Sequence, residues 1–460
     1  MTMLPPLGWL GIFRLGLVQT ALGAIVVLTT STLNRVMVVE LALPAMLPGA
    51  LVGLHYAIQV TRPRMGHGSD QGGRRTPWIL GGMAMLAAGG TGAALATAWM
   101  ATNLTAGVAL AVLSFLAIGA GVGASGTSLL VLMAKRVHPH RRAAAATVAW
   151  VMMILGFIVT AGTVGTLLDP FTTGRLVMLT AIVSALALTV TTLAVWGLEG
   201  REGAHSMPAA AAGPGDRIGD RAAERTAFRE ALHQVWAEPQ ARGFAIFVFV
   251  SMLAYSAQDL ILEPYAGAVF GMTPGESTKL AGVQHGGVLL GMILVGIINS
   301  LAKDRGAGSL RAWTVGGCLA SAVTLCLVGM GGLMGADWPL RETVFLLGVS
   351  NGAYAVAAIG SMMERVTAGR DRREGVRMGL WGAAQAVAFG LGGFLGTVAA
   401  DGARAMMADP AQAYAGVFAA EAVLFLAAAA LALRLDMRRQ PSPAEVGARP
   451  LPLGSATAAE

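Results

Sequence analysis

The stretch MGHGSDQGGRRTPW, residues 65–78, sits between two apolar runs near 41–61 and 77–99. Its glycines permit a tight turn between closely spaced helices. Its aspartate, Asp70, stands where one helix ends and can hold the arginines that follow it, or the positive N-terminal end of a neighbouring helix. Read for topology alone, the same loop is a solvated basic turn. What lies on either side decides between the two.

Spanning a hydrocarbon core of about 30 Å takes roughly 20 residues of helix. Runs of that order lie near 8–30, 41–61, 77–99, 103–134, 143–168 and 174–197. After a polar interval, six more lie near 243–263, 278–301, 311–334, 341–364, 376–400 and 412–435. The interval is rich in Ala, Gly, Pro and charge and reads as a linker ending in a short amphipathic helix. The expected architecture is an all-α membrane protein of 12 transmembrane helices in two six-helix halves, 1–198 and 243–435. The linker is 199–242, and the tail, 436–460, has the composition of a disordered end.

Composition agrees with this plan. Hydrophobic residues make up 55% of the chain and charged residues 12%, with a mean hydropathy of +0.65; soluble globular chains carry about 25% charged residues. The first ten residues, MTMLPPLGWL, lack a basic start and a small-residue cleavage site, so the first apolar run is expected to be a helix of the mature chain. Cys318 and Cys326 lie two helical turns apart, too far to bridge, and read as packing residues. The net charge of +7 matters through its placement. With the N-terminus inside, 26 of the 32 Lys and Arg residues fall in cytoplasmic segments, which places both termini in the cytoplasm and gives no reason to invoke nucleic acid.

Set in the six-plus-six plan, residues 65–78 resemble the loop signature of the major facilitator superfamily. Gly66, Asp70, Gly73, Arg74 and Arg75 match in register, while Gln71 replaces the usual basic residue and Gly68 the usual apolar one. The resemblance implies two halves that rock about a central site, with this loop latching one conformation. The second half has a worn counterpart at Asp304, Arg305 and Gly306. A better internal echo pairs TLNRVMVVELALPAMLPG, 32–49, with SAQDLILEPYAGAVFGMTPG, 256–275. Each has an amide beside a charge, a glutamate and a later Pro-Gly, so both are expected where helices 1 and 7 leave the membrane.

The same stretches, with LGWLGIFRLGLVQTALGAIVVLTTSTLNRVMVVE at the front and AYSAQDLILEPYAGAVFGM in the middle, carry a narrower likeness. They resemble the PucC family, the bacteriochlorophyll delivery branch of the superfamily in purple phototrophs. Within it, the short linker and GGRRTPWI are most similar to the member encoded among bacteriochlorophyll synthesis genes and labelled a bacteriochlorophyll synthase chain. The likeness implies a multi-pass protein of the bacterial inner or intracytoplasmic photosynthetic membrane. It implies handling of bacteriochlorophyll a or a precursor as bound cargo, with light-harvesting polypeptides or bacteriochlorophyll synthase as partners. An intramembrane prenyltransferase would need clustered aspartates to hold magnesium on a diphosphate; no Asp-x-x-Asp or Asp-x-x-x-Asp motif occurs in the spans, so no catalytic residue is expected.

Ionisable groups inside a bilayer cost several kcal/mol unless paired or hydrated, so each is a candidate. Arg14 lies near Gln19 in helix 1; Asn34, Arg35 and Glu40 follow in the same segment; Gln258, Asp259 and Glu263 lie in helix 7. Asp259 and Glu263 are four apart on one face, as a proton-binding pair would be, which keeps a proton-coupled carrier of a small solute open as the alternative. The competing reading pairs Asp259 with Arg35 as a static gate, with Pro264 near the helix end. Chlorophyll magnesium takes one axial ligand, commonly imidazole, and His55 of LVGLHYAIQV and His285 of LAGVQHGGVLLG occupy matching helices 2 and 8. The adjacent Gly53, Gly282, Gly286 and Gly287 either leave room for a flat macrocycle or serve close helix packing. His138 and His140 in KRVHPHRR have no accompanying Cys or carboxylate and read as part of a basic loop facing lipid headgroups, not as a metal site.

Overall fold

In a bilayer every backbone N–H and C=O needs an internal partner, which leaves the helix as the solution for a chain of continuous apolar runs. The computed structural model describes residues 6–59, 74–199, 236–302, 310–367 and 374–435. Among them are 12 long helices: α1 Trp9–Glu40, α2 Met46–Ile58, α3 Thr76–Met100, α4 Leu104–Arg136, α5 Arg142–Leu167, α6 Thr173–Val195, α7 Pro239–Phe270, α8 Pro274–Ala302, α9 Leu310–Met334, α10 Leu340–Thr367, α11 Glu374–Met406 and α12 Pro410–Arg434. Eleven are long and apolar enough to cross a membrane, and α2 is a shorter apolar helix. Side-chain caps open several of them: Asn103 accepts from the Ala106 N–H at 3.0 Å, Thr172 from Arg175 at 3.1 Å and Asp409 from Ala411 at 3.0 Å.

Packing repeats with a period of six helices. In the first half α1 packs on α5 and α6, α3 on α4 and α6, and α2 on α4; in the second α7 packs on α11 and α12, α9 on α10 and α12, and α8 on α10. The two large inter-half seams, α5–α8 and α2–α11, are likewise equivalent. Each half has its own buried core, one around Leu15, Ile25, Leu86 and Phe115, the other around Phe247, Tyr265, Phe418 and Phe425. Outward-facing Leu113, Leu193 and Val423 stay exposed, as on a lipid-facing surface. Cys318 is buried and Cys326 exposed, and both are free thiols.

Two element boundaries differ from expectation. Helix 1 does not end near Thr30; it continues to Glu40, with π-helical turns at Leu28–Thr32 and Val36–Glu40. The polar residues that read as an exit are buried against α7 and α8, where they find partners, so the helix has no reason to end. Likewise Pro264 is not near the end of α7, which runs on to Phe270 and stops at Gly271, a glycine at φ 66° in the left-handed region. The worn counterpart at Asp304–Gly306, the tail 436–460 and most of the linker lie outside the described residues.

Candidate functional site

The side on which odd-numbered helices begin is termed the basic face, after its loops. At the other face the two halves meet. The Asn34 side-chain amide donates to the Leu260 carbonyl at 2.6 Å, Thr32 and Thr278 hydroxyls lie 3.1 Å apart, and Arg35 donates to the Met272 carbonyl at 2.5 Å. Arg35 also pairs with Glu40, and its guanidinium packs on Gly267. The expected Arg35–Asp259 gate is therefore replaced: Glu40, five residues along the same helix, takes the charge, and Asp259 faces inward, 3.4 Å from the Gln284 amide.

Two aspartates absent from the sequence reading complete this closure. Asp169, just beyond α5, accepts from the Thr273 hydroxyl at 2.7 Å and the Gly275 N–H at 3.3 Å, at the start of α8. Asp401, in the last turns of α11, accepts from the Ala45 and Met46 N–H groups at 2.9 and 2.8 Å, at the start of α2. Each carboxylate satisfies free N–H groups at a helix N-terminus belonging to the other half, where the helix dipole favours negative charge. Thr273 and Glu276 add a reciprocal capping box, with the Thr273 N–H donating to Glu276 at 2.9 Å and the Glu276 N–H to the Thr273 hydroxyl at 3.2 Å. The pattern Thr-Pro-Gly-Glu, 273–276, is the sequence signal that could have found the start of α8.

Behind the closure lies a cavity of about 380 Å³ between the halves, running from Thr30 and Ser31 toward Gln59 and Gly382 on the side of the basic face. It falls within the roughly 300–1,000 Å³ range of small-molecule sites. His55 and His285 both line it, from opposite halves, as do Asp259 and Glu263. Its aromatic wall comprises Tyr56, Trp150, Phe157, Tyr255 and Phe389. Phe157 stands edge-on to the His285 ring with centroids 4.7 Å apart, and Tyr56 edge-on to His55 at 4.9 Å. Trp150 and Phe157 escaped the sequence reading because an aromatic in an apolar helix gives no sign of which face it occupies.

The other candidates are dispersed. Arg14 does not meet Gln19; it donates to the Leu193 and Trp196 carbonyls at 3.2 and 2.5 Å, covering the C-terminal end of α6. Gln19 and Gln258 are buried away from the cavity. Glu263 is 3% exposed, and its carboxylate oxygens have no hydrogen-bond partner among the described residues. Gly287 is a packing residue, since a Cβ there would lie 2.2 Å from the Phe345 carbonyl of α10, whereas Gly286 has open space. Of the loop signature, Gly66, Asp70 and Gly73 lie outside the described residues; Arg74 is exposed, and Arg75 is buried. The Glu199 carboxylate accepts from the Arg75 N–H and, at 2.7 Å, from the Thr76 N–H, capping α3 from the end of the first half. His138 and His140 are exposed, and among the described residues no cluster of His, Cys, Asp or Glu could hold a metal ion.

Solved structures share this architecture: a peptide transporter, POT, in complex with sulfate, superposes with a TM-score of 0.69 at 15% identity, over 95% of this chain and 98% of that one. The arrangement is the major facilitator fold, in a multi-pass membrane protein. Among curated proteins, the bacteriochlorophyll synthase 44.5 kDa chain of Rhodobacter capsulatus is 54% identical over 93% of this chain and 95% of its own length. Protein PucC of Rhodobacter capsulatus is 30% identical over 93% and 92%, respectively. The family model for PUCC protein matches residues 32–440, through both halves and both histidines. The chain therefore belongs to the PucC family.

Proposed function

We propose that this chain receives bacteriochlorophyll or a precursor in the inter-half cavity and hands it on for light-harvesting complex assembly or pigment synthesis. The observation that carries this reading is the convergence of one imidazole from each half, His55 and His285, on a single aromatic-walled cavity. Flat macrocycles stack on such walls, and a chlorophyll magnesium accepts an imidazole nitrogen. The name borne by one Rhodobacter relative, the bacteriochlorophyll synthase 44.5 kDa chain, points to the same pigment. The chain acts as a carrier and not as an enzyme: its membrane spans hold no aspartate motif for a prenyl diphosphate.

In this reading the bodies 1–198 and 243–435 rock about the linker 199–242 in a cytoplasmic or intracytoplasmic photosynthetic membrane. Both termini and the cavity mouth face the cytoplasm, where bacteriochlorophyll synthase or nascent light-harvesting polypeptides dock. Gly66, Asp70, Gly73, Arg74 and Arg75 latch the basic face when it closes. The second reading, a proton-coupled carrier of a small solute, is favoured by one observation: Asp259 and Glu263 both line the cavity.

The test is purification of the intact protein in mild detergent from a phototrophic host, followed by its absorption spectrum and an inventory of co-purifying proteins. Pigment at a fixed ratio, with a light-harvesting or synthase partner, is the expected result. A colourless protein with neither partner would transfer the assignment to the solute carrier.

A further inference from the structure

We propose that the cargo is recognised as a metal-centred tetrapyrrole whose magnesium takes its axial ligand from Nε2 of His285, and that His55 is not a ligand. This rests on the pigment-handling reading and sharpens it from two candidate ligands to one.

The two imidazoles occupy equivalent places on α8 and α2 but differ in hydrogen bonding. Nδ1 of His285 lies 2.8 Å from the Ala281 carbonyl one turn earlier. A carbonyl only accepts, so Nδ1 carries the proton, and in a neutral ring Nε2 then bears the lone pair. A backbone carbonyl on the far nitrogen is the usual support for a metal-binding histidine, because it fixes both tautomer and ring orientation. The edge-on Phe157 of α5 holds the plane of the ring from the side. Gly286, with nothing near its missing Cβ, keeps the adjoining helix surface clear of side chains.

His55 is arranged otherwise. Its Nε2 lies 2.8 Å from the side-chain amide nitrogen of Gln59, one turn further along α2. Whichever way that amide is turned, Nε2 either accepts from it or donates to it, and neither leaves a lone pair for a metal. Its Nδ1 sits beside the Cβ branch, where a flat macrocycle cannot approach squarely. His55 therefore belongs to the polar wall of the cavity, while the ligand is on the α5–α8 side.

The experiment titrates the full-length protein in detergent with bacteriochlorophyll a and with bacteriopheophytin a, which has two protons in place of magnesium. The wild type is expected to bind the magnesium form at least about tenfold more tightly, equivalent to about 1.4 kcal/mol, with a Qx band at the five-coordinate position. His285→Ala is expected to erase that preference and leave metal-free binding unchanged; His55→Ala is expected to keep it. In His285→Gly, added imidazole is expected to restore the preference, which a merely misfolded variant would not show. A preference that survives His285→Ala, or is lost in His55→Ala, overturns the assignment while leaving pigment handling intact. A wild type that binds neither pigment overturns the pigment reading itself.

Discussion

The α5–α8 and α2–α11 seams occupy equivalent positions in the two halves, and each contains the same three parts. An aspartate from the end of one helix caps the start of the other; a glycine allows close approach; a histidine on the even-numbered helix faces the cavity. The parts are equivalent in place and unequal in chemistry. At α5–α8, Gly165 and Gly275 bring backbone against backbone, and the histidine presents a free Nε2. At α2–α11, Gly49 meets the Thr397 side chain, and the histidine is engaged by Gln59. Backbone packing thus preserves the duplicated scaffold, while groups one turn away, the Gln59 side chain and the Ala281 carbonyl, set the two histidines apart in hydrogen bonding.

The largest expected effect comes from filling the glycines. A Cβ on Gly165 would lie 2.7 Å from the Gly275 carbonyl and 3.0 Å from the Lys279 nitrogen, both backbone atoms that can retreat only if the helices part. Gly165→Ala should therefore cost about 1–3 kcal/mol of closure. At Gly49 the three nearest atoms all belong to the Thr397 side chain, its Oγ1 2.0 Å away, so Gly49→Ala should be rescued by Thr397→Gly. Maleimide labelling of Ser277→Cys, buried at the closed face, in a Cys318→Ala/Cys326→Ala background reads the opening. Equal rescue at both seams would erase the contrast between them.

Next come the caps. Removing a capping carboxylate typically costs about 1 kcal/mol, so Asp169→Ala and Asp401→Ala should each raise labelling at Ser277→Cys roughly fivefold. Asp401 should matter more, since it accepts from two backbone N–H groups at 2.8–2.9 Å, whereas Asp169 makes one hydroxyl contact at 2.7 Å and one longer N–H contact at 3.3 Å. The seams share few partners, so the double variant should show the sum of the two effects. Unchanged labelling in both single variants would show that the caps do not hold the closed face.

Much of this fold is written in local pattern. The run near 77–99 became Thr76–Met100 and that near 311–334 became Leu310–Met334, because an apolar span bounded by polar turns has one solution in a bilayer. His55 and His285, which the sequence places in matching helices, line one cavity. Asp169 and Asp401 were not legible: an aspartate at a loop edge looks solvated, and its role as a cap depends on a helix more than 100 residues away. The end of α1 was missed for a related reason. Thr32, Asn34 and Arg35 read as the end of an apolar run only while the partners that Thr278, Leu260 and Met272 supply are out of view.

The smallest effect tests the closure between the seams, where hydrogen-bond direction predicts an asymmetry. The Thr278 hydroxyl donates to the Pro274 carbonyl at 2.8 Å, so in the 3.1 Å contact with Thr32 it is Thr32 that donates and Thr278 that accepts. Thr278→Val then strands a buried donor on Thr32, which is 1% exposed, at about 1 kcal/mol or somewhat more. Thr32→Val removes the donor but leaves Thr278 bonded to Pro274, so its cost should be about half as large. Thr32→Val/Thr278→Val leaves no donor stranded and should be milder than Thr278→Val alone, a non-additive cycle readable by the same Ser277→Cys labelling. Additive costs would mean that the two hydroxyls do not hold each other across the halves, leaving closure to the aspartate caps and the glycine contacts.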